Sequence, residues 1–210
     1  MPSVAHLTLV QWLSPAFPTG AFAYSHGLET EIATGTVHDA QSLEVWLGNI
    51  LRLGAGWQDA VLLSHALGGD RDMLDDLARA LQPCAERLQE SLDQGTALAR
   101  TVSGITGRRL PPRMLPVAVA EAAAPRDLPK ADVAALYLHA FAGNLVTVAI
   151  RHLPLGQTEG QAVLGHITPL IHDLAAAACD AGLEEIGTCA LAGDLAALQH
   201  ETQEVRIFRT

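Results

Sequence analysis

The stretch DLPKADVAALYLHAFAGNLVTVAI, residues 127–150, decides the fold class. Asp127-Leu128-Pro129 has the form of a helix start, with proline in the first turn, where its missing N–H costs nothing. Downstream, Val133, Leu136, Tyr137, Ala140, Phe141 and Val148 share one helical face, and Leu138, Leu145 and Val146 place apolar groups on others. A helix that is apolar nearly all round belongs at the buried centre of a bundle. Leu153-Pro154-Leu155-Gly156 breaks it.

The same period recurs on either side. Leu43, Trp46, Leu47, Ile50 and Leu51 form an amphipathic stripe that Asp39 is placed to cap. Met73, Leu77 and Leu81 predict another, begun near Asp70 and stopped at Pro83. A long segment follows from Ala85 to about Thr106, weakened at Gly104 and Gly107, and an alanine-rich helix runs from Met114 to Ala124 before Pro125. Thr158 is the expected cap of a helix with the face Val163, Ile167, Leu170, Ile171 and Leu174, kinked at Pro169. A last helix is predicted from about Cys189 to Gln203, ahead of a tail ending at Thr210. No sustained period-2 run stands between turn residues. The chain reads as one all-α domain over residues 1–210, a bundle of roughly ten helices.

Composition narrows the function. Thirteen basic residues against twenty-three acidic ones, a net charge of −10, argue against nucleic acid as a partner. No continuous apolar run reaches the length of about 18 residues that suggests a membrane span, and the N-terminus lacks a basic region followed by a signal-type core. Cys84, Cys179 and Cys189 are odd in number and widely spaced, as expected of reduced thiols. Together these readings place the chain in the cytoplasm, with no membrane partner.

Catalytic signatures are missing. There is no phosphate-cradling G-x-x-x-x-G-K-[ST], no G-x-S-x-G elbow and no C-x-x-C. His200-Glu201 opens like a zinc-protease helix, but the i+4 position is Glu204. His26 and Glu29, at i and i+3, are spaced to face the same way as an acid/base or ligand pair. Cys189 and His200 are the candidate metal ligands of the last helix. Eleven positions apart, they stand about 16 Å from each other along a helix and cannot share one ion within a single chain. A buried thiol and a surface imidazole are the default for that pair.

One loop is unusual. Residues 14–29, SPAFPTGAFAYSHGLE, are apolar and conformationally fixed, whereas most loops are polar. Pro15 and Pro18 lock φ, and Gly20 and Gly27 can enter backbone regions closed to other residues. Such a segment is a packed corner or a surface made to be touched.

Three segments in register carry a resemblance: Leu13 to Glu29, the Pro154-Leu155-Gly156-Gln157-Thr158-Glu159-Gly160-Gln161 turn, and the end from Gln199-His200-Glu201 through Arg206-Ile207-Phe208-Arg209-Thr210. Together they resemble the UreF family of urease accessory proteins. The resemblance implies a non-enzymatic helical chaperone for nickel insertion that forms a homodimer, binds UreD (also called UreH), recruits the GTPase UreG and acts on the urease apoprotein. It implies no tightly bound cofactor, only transient nickel. By the same resemblance Phe22, Glu29, Arg151, Arg206 and Phe208 are partner-binding residues, Cys189 and His200 line a transient nickel path, and residues 199–210 are a tail that orders when its partner docks. Two other readings stay open at this point. One is a GTPase-activating protein with Arg151 or Arg206 as its finger, and the other a metal-dependent helical enzyme using His26, Glu29 and Glu159.

Overall fold

The computed structural model describes residues 3–187 and 189–210. These hold ten α-helices and three short 3-10 turns, with no strand among the described residues. The helices are α1 (Val4–Trp12), α2 (Leu28–Ala33), α3 (Ala40–Leu53), α4 (Ala55–Ala66), α5 (Arg71–Ala80), α6 (Ala85–Thr106), α7 (Leu115–Ala123), α8 (Lys130–His152), α9 (Gln157–Asp180) and α10 (Leu191–His200).

The two longest, α8 and α9, pack along each other, and α3, α4 and α7 close around them. Both α8 and α9 are long and apolar enough to cross a membrane by length and composition. Their apolar residues are used differently here: Val133, Leu138, Leu145 and Val146 of α8 and Val163, Ile167 and Ile171 of α9 are buried in the bundle core. Each fully buried aliphatic side chain of this kind contributes about 1.5–3 kcal/mol relative to exposure.

Several ends form as the sequence predicts. Asp39 caps α3, its carboxylate accepting from the Ser42 N–H at 2.8 Å while the Ser42 hydroxyl accepts from the Asp39 N–H at 3.0 Å. The whole stripe from Leu43 to Leu51 is buried. Asp70 caps α5, and Gly107 ends α6 with φ +71°.

Four details differ. Helix α4 carries no apolar-polar alternation that would announce it, because Ala60-Val61-Leu62-Leu63 is buried on every side. On α5 the buried face is Leu74, Asp75 and Ala78 rather than one led by Met73, which is exposed; Asp75 turns that face inward by accepting from the Met114 N–H at 2.6 Å. At the start of α9, Thr158 lies inside the helix, and Glu159 satisfies the Gly156 N–H at 2.9 Å. Helix α10 is shorter than expected, running only to His200.

The 14–29 segment is the packed corner between α1 and α2. It contains a 3-10 turn at Ala21–Ala23 and three residues in the left-handed region: Gly20 at φ +78°, His26 at +60° and Gly27 at +80°. Gly27 also faces α10 directly; a Cβ there would lie 2.9 Å from the Ala197 nitrogen. Glycine is therefore required twice over, by φ and by space. We predict that Gly27→Ala lowers stability by about 1–3 kcal/mol, read as a lower urea midpoint with an unchanged slope. A midpoint equal to wild type would contradict the close approach of α10 to this turn.

Candidate functional site: a loop and tail held by buried carboxylates

The tail from Glu201 to Thr210 lies on the α1–α2 corner. Its anchor is Glu29, the second residue of α2, which is only 5 % exposed. Glu29 Oε1 accepts from the Ile207 N–H at 2.8 Å, and Oε2 from the Phe208 N–H at 3.0 Å. Oε2 is also 3.2 Å from His200 Nε2. Burial pushes the Glu29 carboxyl up, but those two backbone donors and the His200 ring more than offset it, leaving the group below the ordinary carboxylate range.

His200 ends α10 and is fully buried. Its other nitrogen, Nδ1, pairs with Glu86 Oε2 at 2.7 Å, and Glu86 Oε1 accepts from Arg206 Nη1 at 2.6 Å. Two turns of α6 thus reach the tail through Glu86 and through Glu90, whose Oε2 accepts from the Thr210 hydroxyl at 2.8 Å. Ser25 completes the seat, its N–H donating to the Thr210 carbonyl at 2.7 Å, and the Arg209 N–H donates to the Ala23 carbonyl at 2.9 Å.

Phe208 is buried against the end of α8. Its ring centroid lies 4.9 Å from that of His152, and the Arg151 guanidinium stands 4.9 Å above the ring. Arg151 Nη1 also donates to the Phe22 carbonyl at 3.3 Å. The neighbouring Ala21 carbonyl accepts from Asn144 Nδ2 at 3.1 Å. Phe22 therefore has a tethered backbone and a side chain that is 67 % exposed.

Six of the seven residues singled out in the sequence meet in this one assembly: Phe22, Glu29, Arg151, His200, Arg206 and Phe208. Phe22 and Arg206 are exposed, whereas Glu29, Phe208 and His200 are buried. Glu29 and Phe208 face the chain's own interior, because the tail supplies the donors and the apolar cover that each needs. Arg206 is partly exposed and ion-paired. The tail expected to order on a partner has a seat on its own chain. Cys189 is not brought in. It is exposed, its thiol 3.3 Å from Asp194 Oδ2, so the expected buried thiol and surface imidazole are reversed. Among the described residues no group of three His, Cys, Asp or Glu side chains could hold a metal ion. Glu86 and Glu90 were not anticipated. Both lie among the many polar residues of α6, and no local pattern separates them from a solvated face.

Behind the tail lies a second charged layer. Arg87 pairs with Glu90, the Gln94 amide donates to Glu90 Oε1 at 3.2 Å, and the Tyr137 hydroxyl donates to Asp59 Oδ2 at 2.5 Å. Burial pushes Asp59 up to about 6 against the opposing effects of Tyr137 and Arg87. His26, its ring edge-on to Phe141 at 5.0 Å, is lowered to about 4 by burial and by the charge of Arg87. For Glu90, burial raises the carboxyl, yet the charge of Arg87 and the contact with His26 bring it down to about 2.

The signs of these shifts make a prediction. His26 is depressed, so its contribution is present above its ordinary value of 6.5 and is lost as pH falls towards 4. Asp59 is raised, so its contribution is present below its ordinary 3.8 and is lost as pH rises through 6. Each is on the order of 3 kcal/mol and the two oppose each other, while Glu90 acts only below 4.5. We expect unfolding free energy to be nearly flat from pH 6.5 to 4 in the wild type and to fall by on the order of 3 kcal/mol over that range in Asp59→Asn. Parallel profiles would contradict the assignment. In the same assay His200→Ala, which leaves Glu29 and Glu86 without their shared partner, should cost about 3–5 kcal/mol and speed hydrogen exchange at the Ile207 and Phe208 amides. Unchanged protection of those two amides would show that His200 does not hold the tail.

Comparison with known proteins gives the family. The UreF family profile matches residues 37–168, more than half of the chain. A urease accessory protein UreF of Cereibacter sphaeroides strain KD131 is 62 % identical over 209 residues, covering 99 % of this chain and all of that protein. Those of Paracoccus denitrificans (49 % over 211 residues, 100 % of this chain and 98 % of the relative) and Roseobacter denitrificans (47 % over 213 residues, 100 % and 96 %) also align along the whole length. The profile leaves the loop and the tail outside its bounds, and the full-length relatives include them. The chain belongs to the UreF family of urease accessory proteins.

Proposed function

We propose that this urease maturation factor is a non-catalytic cytoplasmic adaptor: a homodimer that binds UreD/UreH, recruits the GTPase UreG and so brings nickel-loaded UreG to the urease apoprotein. The observation that carries the reading is the pairing of a buried, fully bonded framework with apolar side chains left outside it. Phe22, Val205 and Ile207 are exposed on segments whose backbones are tied down by Arg151 and Glu29. Solvent-facing apolar groups on a fixed backbone suit a partner, because the ordering cost of binding is already met by the fold.

In this reading Phe22 and Arg206 form the face offered to UreG, and the exposed edge of the tail serves UreD/UreH. Glu29, Arg151 and Phe208 act from inside by fixing where those groups stand. Nickel is cargo, held by UreG, with no tightly bound cofactor in this chain. Cys189 and His200 are weak support for a nickel path, since one is exposed and the other is enclosed between two carboxylates.

The arginine-finger reading is disfavoured by the engagement of both candidates, Arg206 with Glu86 and Arg151 with Phe208 and the Phe22 carbonyl. A metal-dependent enzyme is disfavoured because its proposed ligands work separately. Glu29 binds the tail, Glu159 closes the start of α9, and His26 is buried against Phe141.

Co-purification tests the proposal. The full chain should pull down UreD and UreG together. Phe22→Ala, which removes an exposed side chain without touching the framework, should keep UreD and lose at least tenfold in UreG recovery. Ile207→Asp should lose UreD. Equal recovery of both partners with both variants would overturn the assignment of these surfaces.

A further inference from the structure

Charge is divided unevenly along this chain. Between Asp93 and Asp132 stand six of the thirteen basic residues: Arg100, Arg108, Arg109, Arg113, Arg126 and Lys130. The same stretch holds only two of the twenty-three acidic ones, Glu121 and Asp127. It carries +4 in a molecule whose total is −10.

The fold gathers this charge at one end of the bundle. Arg108 donates to the Glu121 carbonyl at 2.9 Å and to the Ala122 carbonyl at 3.0 Å, which seats the end of α6 over the end of α7. From there Pro125 and Arg126 lead into Lys130, the first residue of α8. Arg100 lies on α6, about 9 Å along the axis before its last residue. The loop-and-tail assembly occupies the other end of the same two helices, held by Glu86 and Glu90 at the start of α6 and by Arg151 at the end of α8. Lys130 and Arg151 are about 32 Å apart at 1.5 Å per residue, so the basic end is a separate surface.

Three of its cations are engaged within the chain. Arg113 pairs with Asp72 and Glu121, Arg108 binds the α7 carbonyls, and Arg126 stands 4.8 Å over the Trp12 ring. The other three, Arg100, Arg109 and Lys130, are exposed. Among the described residues the arginine–carboxylate pairs are those of Arg79, Arg87, Arg113 and Arg206, so these three stand unpaired in a chain with a surplus of carboxylates. Asp127 is the exposed carboxylate of the stretch. Their setting is stiff and partly apolar. Ile105 is 57 % exposed, and Pro111, Pro112, Pro125 and Pro129 line the exposed connections with φ locked by their rings. A surface fixed in this way binds without the cost of ordering its loops.

Unpaired like charges held together attract an anion, and the surroundings select which. A nucleic acid fits poorly. Three phosphate contacts neutralise little, the remaining −14 of the chain repels a duplex, and no aromatic side chain between residues 94 and 131 offers a base a stacking partner. Carboxylates match the guanidinium fork in bidentate geometry, and a protein segment can bring several of them together with an apolar side chain for Ile105.

We propose that the ends of α6 and α7 and the start of α8 form a docking surface for an acidic protein segment. Arg100, Arg109 and Lys130 meet its carboxylates, and Ile105 meets its apolar side chain. The attraction is between exposed charges, so salt screens it. This surface stands apart from those around Phe22 and the tail and does not depend on what binds there.

Titrating a short poly-glutamate peptide with one central leucine into the full chain tests this. Amide chemical-shift changes should concentrate between residues 100 and 130, and binding should weaken severalfold as salt rises from about 50 to about 200 mM. Arg109→Glu and Lys130→Glu should each weaken the peptide about fivefold or more, since each turns an attraction into a repulsion. Arg209→Glu makes the same change in net charge at an exposed site on the opposite end, beyond the screening distance, and should leave binding within about twofold of wild type. All three sites are exposed, so the variants should unfold at the wild-type temperature. Equal losses in all three variants, or no binding by the wild type, would overturn the surface. Tighter binding of a DNA duplex than of the peptide would overturn the acidic protein as its occupant.

Discussion

Glu29 is the constraint on which the rest of the loop-and-tail assembly depends. A carboxylate taken out of water must be met by donors, and the donors here come from residues 171 to 179 positions further along the chain. That requirement is directional in a way that apolar burial is not. It fixes the tail to within a hydrogen-bond length, sets Phe208 under Arg151, and through Arg151 holds the carbonyl of Phe22. Phe208 would still be hydrophobic if the tail slipped by one residue, but Glu29 would lose its partners.

This explains why α6 keeps Arg87, Glu90 and Gln94 buried where leucines would pack more simply. Buried ion pairs rarely add net stability, because desolvation consumes most of what the attraction returns. The stability of the bundle comes from elsewhere, from the aliphatic faces of α3, α4, α8 and α9. The polar layer supplies register. Glu90 alone is shared by Arg87, Gln94 and Thr210, so a long helix, a polar core and the last residue of the tail are bound to one side chain.

Much of the fold was legible because it follows period and punctuation. The Leu43–Leu51 stripe, the Asp39 and Asp70 caps, the break at Leu153–Gly156 and the all-α class are local facts about neighbours in sequence. Helix α4 escaped for the converse reason: Ala60-Val61-Leu62-Leu63 is packed on all sides, and a segment with no polar face has no visible period. Met73 misled because the face of α5 is set by Asp75 reaching the Met114 N–H, a contact across thirty-nine positions. The site was legible only as a set of residues. Phe22, Glu29, Arg151, His200, Arg206 and Phe208 stood out, but their arrangement did not. A glutamate in the first turn of a helix normally faces water, and nothing near Glu29 in the sequence reveals the amides that cover it.

The strained corner follows from the same logic. His26 holds φ +60°, a conformation that costs a non-glycine residue on the order of 1–3 kcal/mol. It persists because the surroundings determine it: the His26 N–H donates to the Thr210 hydroxyl at 3.2 Å, and its ring is fixed edge-on to Phe141. The tail and the corner thus stabilise each other's unfavourable features, the tail by bonding the strained turn and the turn by presenting Glu29. Two segments that would be loose separately become one rigid surface when joined. The side chains not consumed in the joining, Phe22, Val205 and Ile207 among them, are the ones left facing solvent. On the proposed reading, a partner docking there would meet a shape already fixed, and its contacts would go into affinity rather than into ordering the chain.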